Sequence, residues 1–330
     1  MIYTSLILTK QNLGQNDANC SGKWKMLVDV ADLDCIYLSY DEPQKEEFWV
    51  RIQNIVPWAK RVDGVAGSDA AHKAAAAASN TERFILIDGD NIPDSNFFDL
   101  QLDIKQEYTD CVFRWKARNA VNGLMYGNGG LSCWTREFIN NMKTHEATDG
   151  TDETVVEFCF DQKYLAMNNV YSTTYPNGDA KHAWRAGFRE GVKMCLNKGR
   201  KPTIEEFKQQ VHAKNFDKLC VWHSVGLDAE HGFEAMYGAR QGTYMLMLTD
   251  WDWHEVRDFR ELDRLWDQEQ EWLDSNFYEY GAKLRRILEL PIVDYSVNES
   301  KFFKHYYSQT YHAYDPMTTE LEVIRKVEGW

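Results

Sequence analysis

Hydrophobic and polar positions in the first hundred residues switch repeatedly between two periods. The stretches 2–9 (IYTSLILT), 35–40 (CIYLSY), 59–65 (AKRVDGV) and 84–87 (FILI) are short and predict strands. Between them, 46–55 (EEFWVRIQNI) repeats Phe48, Ile52 and Ile55 at helical spacing. The segment 68–79 (SDAAHKAAAAAS) predicts an alanine-rich helix with Ser68 or Asp69 as N-cap. Its Ala71, Ala74, Ala75 and Ala78 share one face, small enough to let the helix lie close to a sheet. This alternation predicts an α/β fold with a mostly parallel central sheet flanked by helices.

Beyond residue 200 the pattern changes. Residues 201–215 (KPTIEEFKQQVHAKN) read as helical, with Pro202 near the start. Residues 252–290 form a long charged pattern with recurrent Trp, Phe and Leu, the mark of an amphipathic helix or helix pair. The expected organisation is an α/β catalytic domain over 1–200 and a mainly helical region over 201–330.

The run FILIDGDNIPD (84–94) carries the chemistry. A buried strand ends in Asp88 and Asp90, and ligands of parallel sheets bind outside such carboxyl ends. A calcium loop does not fit, because Ile92, Pro93 and Asp99 occupy the positions where it needs an oxygen ligand, Gly and Glu. A phosphotransferase of the haloacid-dehalogenase type uses two Asp at a strand end, the first as nucleophile. Here Ile92 replaces the usual Thr or Val, and the chain has no Asp-Asp pair for magnesium. A nucleotide-sugar site remains: Mg²⁺ or Mn²⁺ on paired carboxylates neutralises a diphosphate leaving group, and Gly89 leaves room for the nucleotide. His72 and Lys73 lie in the first turn of the alanine helix, where free N–H groups favour an anion.

Composition narrows the setting. The 330 residues are 44% hydrophobic, enough for a sizeable core, and 14% aromatic, which also suits clefts that grip rings. The net charge of −14 argues against broad attraction to nucleic acid or anionic membrane. One stretch runs the other way: 181–218 holds ten Lys and Arg against four acids, a local +6. It is either a solvated helical face or a guide for an anionic polymer. Seven widely spaced cysteines without a CxxC point to a reduced compartment and no zinc site. The start, MIYTSLILTK, lacks a basic n-region, and no apolar run reaches membrane length, so a cytoplasmic protein without membrane association is expected.

The segment 67–98 (GSDAAHKAAAAASNTERFILIDGDNIPDSNFF) resembles the core of GT-A glycosyltransferases: alanine-rich helix, polar turn, apolar strand, D-x-D, then Pro and an apolar segment. The resemblance extends more weakly over 1–195. It implies transfer of a sugar from a nucleotide-diphosphate sugar, UDP-linked in preference, with Mn²⁺ or Mg²⁺ as cofactor. Asp90 would hold the metal, Asp88 would share it or contact ribose, and Asp41 with Glu42 would meet base and ribose. His72 and Lys73 fall near the donor sugar or diphosphate. The segment YGNGGLSCWTREF (126–138) is similar to the Gly-rich part of the sugar pocket, with Gly127, Gly129 and Gly130 approaching the ligand. Trp134 there is either a stacking surface or core.

In ETVVEFCFDQKYL (153–165), Glu153, Glu157 and Asp161 lie where inverting members keep a base. Asp161-Gln162 looks like the pair of some retaining members, and the usual Glu-Asp pair is absent. His182 corresponds to a third metal ligand, supplied in the family by a loop, while Arg185 and Arg189 suit a diphosphate. The chain also has some resemblance to virus-encoded glycosyltransferases that act on hydroxymethylated pyrimidines in DNA, which would make DNA the acceptor and require an accessible, flipped base. A saccharide, lipid-linked or protein acceptor is the alternative. A phosphatase of the haloacid-dehalogenase type and a non-catalytic GT-A-like binding domain are the rival readings. No obligate protein partner is implied.

Overall fold

The structure, a computed structural model, describes residues 25–142, 163–197, 199–210 and 213–314. The strand expected at 2–9 and the candidates Glu153, Glu157 and Asp161 lie outside these residues. After β1 (Lys25–Asp29), the elements β2 (Asp34–Ser39), α1 (Lys45–Ile55), β3 (Lys60–Asp63), α2 (Ser68–Ala78) and β4 (Arg83–Asp88) follow the alternation read from the sequence. Next come β5 (Asn91–Pro93), β6 (Gln101–Lys105), β7 (Val112–Asn119), β8 (Met125–Thr135), the short α3 (Arg136–Asn141) and β9 (Tyr164–Thr174). β1 and β6 form a separate antiparallel ribbon.

The main sheet has the order β3-β2-β4-β8-β7-β9-β5. β2 runs parallel to β3 and β4, and β7 parallel to β9, whereas β8 is antiparallel to both its neighbours and β5 antiparallel to β9. The sheet is therefore mixed, not mostly parallel. The cause is local: a tight turn, closed by the Asn119 N–H on the Leu124 carbonyl and by Gly123 at φ 75°, joins β7 to β8 and reverses the chain. β4 is apolar on both sides. Ile85 and Ile87 of β4 pack with Phe48 and Ile52 of α1, and Phe84 and Leu86 pack with Ala75 and Ala76 of α2. The buried alanines of α2 are Ala71, Ala75 and Ala76, and its N-cap is Gly67 at φ 87°, with Ser68 and Asp69 already inside the first turn.

A second core is helical. It is built by α4 (Ala180–Cys195), α5 (Ile204–Gln210), α6 (Ala213–Ser224), α7 (Gly232–Leu248), α8 (Phe259–Glu269) and α9 (Leu273–Leu288), with α10 (Val297–Tyr314) following. The charged pattern at 252–290 thus resolves into the pair α8 and α9 after a short 3-10 turn. Ala183, Trp184 and Phe188 already belong to this helical core, so α4 joins the two parts of the molecule.

α4 and α7 approach backbone to backbone. A Cβ on Gly187 would lie 1.9 Å from the Ala235 carbonyl oxygen, and one on Gly238 would lie 2.0 Å from that of Trp184. Gly191 and Gly242 are closed in the same way by Ala239 and Phe188. Among the described residues no helix is long and apolar enough to cross a membrane, and Cys35, Cys133, Cys195 and Cys220 are free thiols.

Candidate functional site

The exits of β2 and β4 open into a cleft of about 960 Å³ between the sheet and α4. Three contacts fix the β4 exit. The Tyr37 hydroxyl donates to the Gly89 carbonyl at 2.8 Å, the Tyr175 N–H donates to the Asp90 carbonyl at 2.7 Å, and the Thr174 hydroxyl donates to Asp90 Oδ2 at 3.0 Å. Glu42, just past β2, is held by the Tyr40 N–H at 2.7 Å and lies directly over Gly89. A Cβ at Gly89 would be 2.3 Å from Glu42 Cδ, so the missing side chain makes room for this carboxylate rather than for a nucleotide.

Glu42, Asp88 and Asp90 thus share one small volume. Burial pushes the Asp88 carboxyl well above its ordinary range, and Asp90 and Glu42 push it further. Asp90 is raised by burial as well, against the opposing pull of Thr174, of its own backbone N–H and of His182. Burial likewise raises Glu42, with Asp90 and Asp41 adding to it and the Tyr40 N–H opposing. Like charges confined together at a strand end invite a cation.

Opposite them stands the first turn of α4. Its N-cap Asp179 accepts from the His182 backbone N–H at 2.7 Å and pairs with His182 Nδ1 at 2.9 Å. A carboxylate can only accept, so Nδ1 carries a proton, and in the neutral tautomer the lone pair is on Nε2. Nε2 is buried without a hydrogen-bond partner, 3.8 Å from Asp41 Oδ2. Metal-binding imidazoles are oriented in this way, with the second nitrogen donated to a carboxylate. Among the described residues no three His, Cys, Asp or Glu side chains close into a metal-binding group. Mg²⁺ and Mn²⁺ do not need such a cage, since they are held by one or two carboxylates together with substrate phosphates. The donor set Asp88, Asp90 and His182 fits that chemistry, and His182 comes from a helix rather than from a loop.

The other predicted residues divide. His72 lines the cleft, its Nδ1 2.8 Å from the Ser68 carbonyl and its ring edge-on to Trp134. Lys73, one residue on, pairs with Asp69 at 2.6 Å and is not among the lining residues. Gly127 lines the cleft, whereas Gly130 lies against buried Asn91, whose Nδ2 would be 2.0 Å from a Cβ there. Gly129 belongs to the same strand. Trp134 is 1% exposed and donates to Ser132, so its bulk is core. Arg185 packs over Phe259 and reaches Asp41 at 3.8 Å, and Arg189 lies over the same ring. Burial lowers the Arg189 guanidinium, partly countered by Glu190.

The basic stretch resolves residue by residue. Arg185, Arg189 and Lys193 form a stripe along α4 inside the cleft, joined by Lys218 of α6, Arg257 and Arg114. Lys181, Lys201 and Lys208 are engaged elsewhere, with Asp263, the Thr249 carbonyl and Glu289. Arg114 sits beside a register shift of β7 and stacks over Tyr164 at 4.7 Å, and its Nε is buried without a partner. Strand alternation puts this side chain on the face opposite Phe113 and Trp115, toward the cleft. Tyr126, Tyr164, Trp222 and Phe259 alternate with the cations, so the cleft has an acidic end at the strand exits and a basic, aromatic end along α4. Arg114 and Tyr126 were not singled out from sequence as site residues, and Glu190, Lys193 and Lys218 entered only as members of the basic stretch, although the i, i+4, i+8 spacing of Arg185, Arg189 and Lys193 carries the signal. Comparison of the chain with protein-family models and with curated proteins finds no match.

Proposed function

We propose that the cleft transfers a sugar from a nucleotide-diphosphate sugar, UDP-linked in preference, to a hydroxyl acceptor with the help of Mn²⁺ or Mg²⁺. The observation that carries this reading is the meeting of Asp88 and Asp90 with the unpartnered Nε2 of His182 across one cleft. Bound there, the metal supplies a Lewis acid for the departing diphosphate. Asp88, Asp90 and His182 would hold it together with the substrate phosphates, and Arg185 stands beside the same site to balance phosphate charge. His72 and Gly127 border the room for the sugar.

The basic, aromatic end supports an acceptor that combines anionic groups with flat rings. A hydroxymethylated pyrimidine in DNA has both: bases stack on aromatic faces while cations follow the backbone. A neutral saccharide or a lipid-linked or protein acceptor leaves Arg114, Arg189 and Lys193 without a task. Phosphatase chemistry is disfavoured by the sequence, which has no Asp-Asp pair to complete a magnesium site.

The deciding experiment is a donor screen with UDP- and GDP-sugars and Mn²⁺ or Mg²⁺, read by calorimetry and by nucleotide release. Oligonucleotides with 5-hydroxymethylpyrimidines and simple saccharides serve as acceptors. Binding and release that both vanish in Asp90→Ala, with folding intact, are expected. Donor binding without release on any acceptor would reduce the site to a binding module, and hydrolysis of an aryl phosphate in place of donor binding would reinstate the phosphatase.

A further inference from the structure

One carboxylate stands apart from the rest. The cleft acids Asp41, Glu42, Asp88 and Asp90 gather at the strand exits, whereas Glu190 lies among the cations of the opposite end. It is held there by a short relay. Trp222 Nε1 donates to the Tyr126 hydroxyl at 3.2 Å, and that hydroxyl donates to Glu190 Oε2 at 2.8 Å. Burial and the neighbouring Glu190 raise Tyr126 well above the ordinary phenol range, so the hydroxyl keeps the proton it donates. Lys193 Nζ approaches the second oxygen, Oε1, at only 3.4 Å. A carboxylate has about four lone-pair sites, so the relay fixes its direction and leaves accepting capacity for a ligand.

The spacing along α4 is the second observation. Eight residues separate His182 from Glu190, about 12 Å of helix axis. Reacting atoms in a poised complex stand about 3–3.5 Å apart, and a base lies about 2.6–3.2 Å from the group it deprotonates. Together these take up about half of that span, and the phosphate and anomeric end of a donor have the rest.

We infer that Glu190 is the general base of the transfer, oriented by Tyr126 and Trp222. The inference rests on the glycosyl-transfer reading of the cleft. Glu190 takes the proton of the acceptor hydroxyl as its oxygen forms the bond to the anomeric carbon. The bond from that carbon to the diphosphate oxygen breaks, and its electron pair leaves with the nucleoside diphosphate. A single displacement of this kind inverts the anomeric centre.

The test uses the full chain with Mn²⁺ and whichever UDP- or GDP-hexose binds most tightly by calorimetry. Water stands in for the acceptor, which removes any dependence on the acceptor's identity. Glu190→Gln is expected to slow donor hydrolysis about 100-fold or more. Donor affinity should stay within twofold and the melting temperature unchanged, and the acid limb of the kcat profile should disappear. Tyr126→Phe should give a smaller loss and a displaced acid limb. The sugar released by the wild type should carry the inverted anomer, read by NMR.

Hydrolysis by Glu190→Gln within threefold of the wild type overturns the assignment. So does a retained anomer, or loss in Glu157→Gln or Asp161→Asn alone. A wild-type chain that binds no nucleotide sugar overturns the reading of the cleft itself, and Glu190 falls with it. Donor binding with normal Glu190→Gln turnover leaves that reading standing and removes only the base.

Discussion

Asp88 shows how a residue suited to binding a cation burdens the fold that carries it. Its carboxyl is raised by burial and by two neighbouring carboxylates, so the folded chain holds this proton more tightly than the unfolded chain. Stability linked to Asp88 is therefore present below the unfolded carboxylate range near about 4 and is lost as pH climbs through the raised folded value. Asp90 and Glu42 follow the same sign. Asp88→Asn is expected to raise the melting temperature at pH 7.5 in metal-free buffer by about 2–4 °C and to narrow the gap between pH 5 and pH 7.5. Scanning calorimetry at the two pH values checks this, and a lower melting temperature at pH 7.5 would mean that Asp88 is stabilised by a contact outweighing its repulsion. Mn²⁺ should do for the wild type what the substitution does, raising its melting temperature at pH 7.5 more than at pH 5, where protons compete. Asp90→Ala should show little of that response.

Among the elements, α4 carries the most. One face supplies His182, Arg185, Arg189, Glu190 and Lys193 to the cleft, and the other closes on α7 through Gly187 and Gly191. Any added Cβ meets backbone atoms that have no rotamer to escape into, so Gly187→Ala or Gly238→Ala should destabilise by about 1–3 kcal/mol. Urea unfolding with an unchanged slope measures it, and a neutral effect at both positions would show that the helices separate easily. The double G-x-x-x-G pattern at 187–191 and 238–242 was available in the sequence, yet two glycine pairs fifty residues apart signal contact only once both segments are known to be helices. The parallel start of the sheet was legible for the opposite reason, because β2 and β4 are buried on both faces and read as unbroken apolar runs. β8 was hidden by its own chemistry. Gly127 and Gly130 lower strand propensity, and Gly130 is there because Asn91 needs the space. β7 does alternate, Phe113-Arg114-Trp115-Lys116-Ala117, but which of its faces looks into the cleft needed the fold. Asp88 and Asp90 were found as candidates because they end a buried strand and His72 because it opens a helix, whereas His182, Arg185 and Arg189 came from the resemblance to a family. Glu190 and Lys218 needed the fold, since their shared partner Tyr126 is distant from both in sequence.

At the scale of the whole molecule the charge is unevenly shared. A chain of net −14 repels polyanions over most of its surface, whereas Arg114, Arg185, Arg189, Lys193, Lys218 and Arg257 gather in one cleft. An anionic polymer should therefore be held at that cleft and nowhere else, and the difference between lysines of one basic stretch makes this measurable. Lys193 and Lys218 line the cleft, whereas Lys201 and Lys208 lie outside it against the Thr249 carbonyl and Glu289. With a hydroxymethylpyrimidine oligonucleotide, the logarithm of the binding constant should fall linearly with the logarithm of salt, by about 0.7–0.9 per phosphate contact. Lys193→Gln and Lys218→Gln should each weaken binding at low salt and reduce that slope by about 1, independently of base sequence. Lys201→Gln and Lys208→Gln should leave both quantities in place. Equal losses from all four substitutions would make the stretch a diffuse basic surface. A response to salt that is flat in the wild type would remove the polymer from the cleft and return the choice of acceptor to neutral hydroxyl compounds, for which the acidic end with Asp88, Asp90 and His182 would still serve.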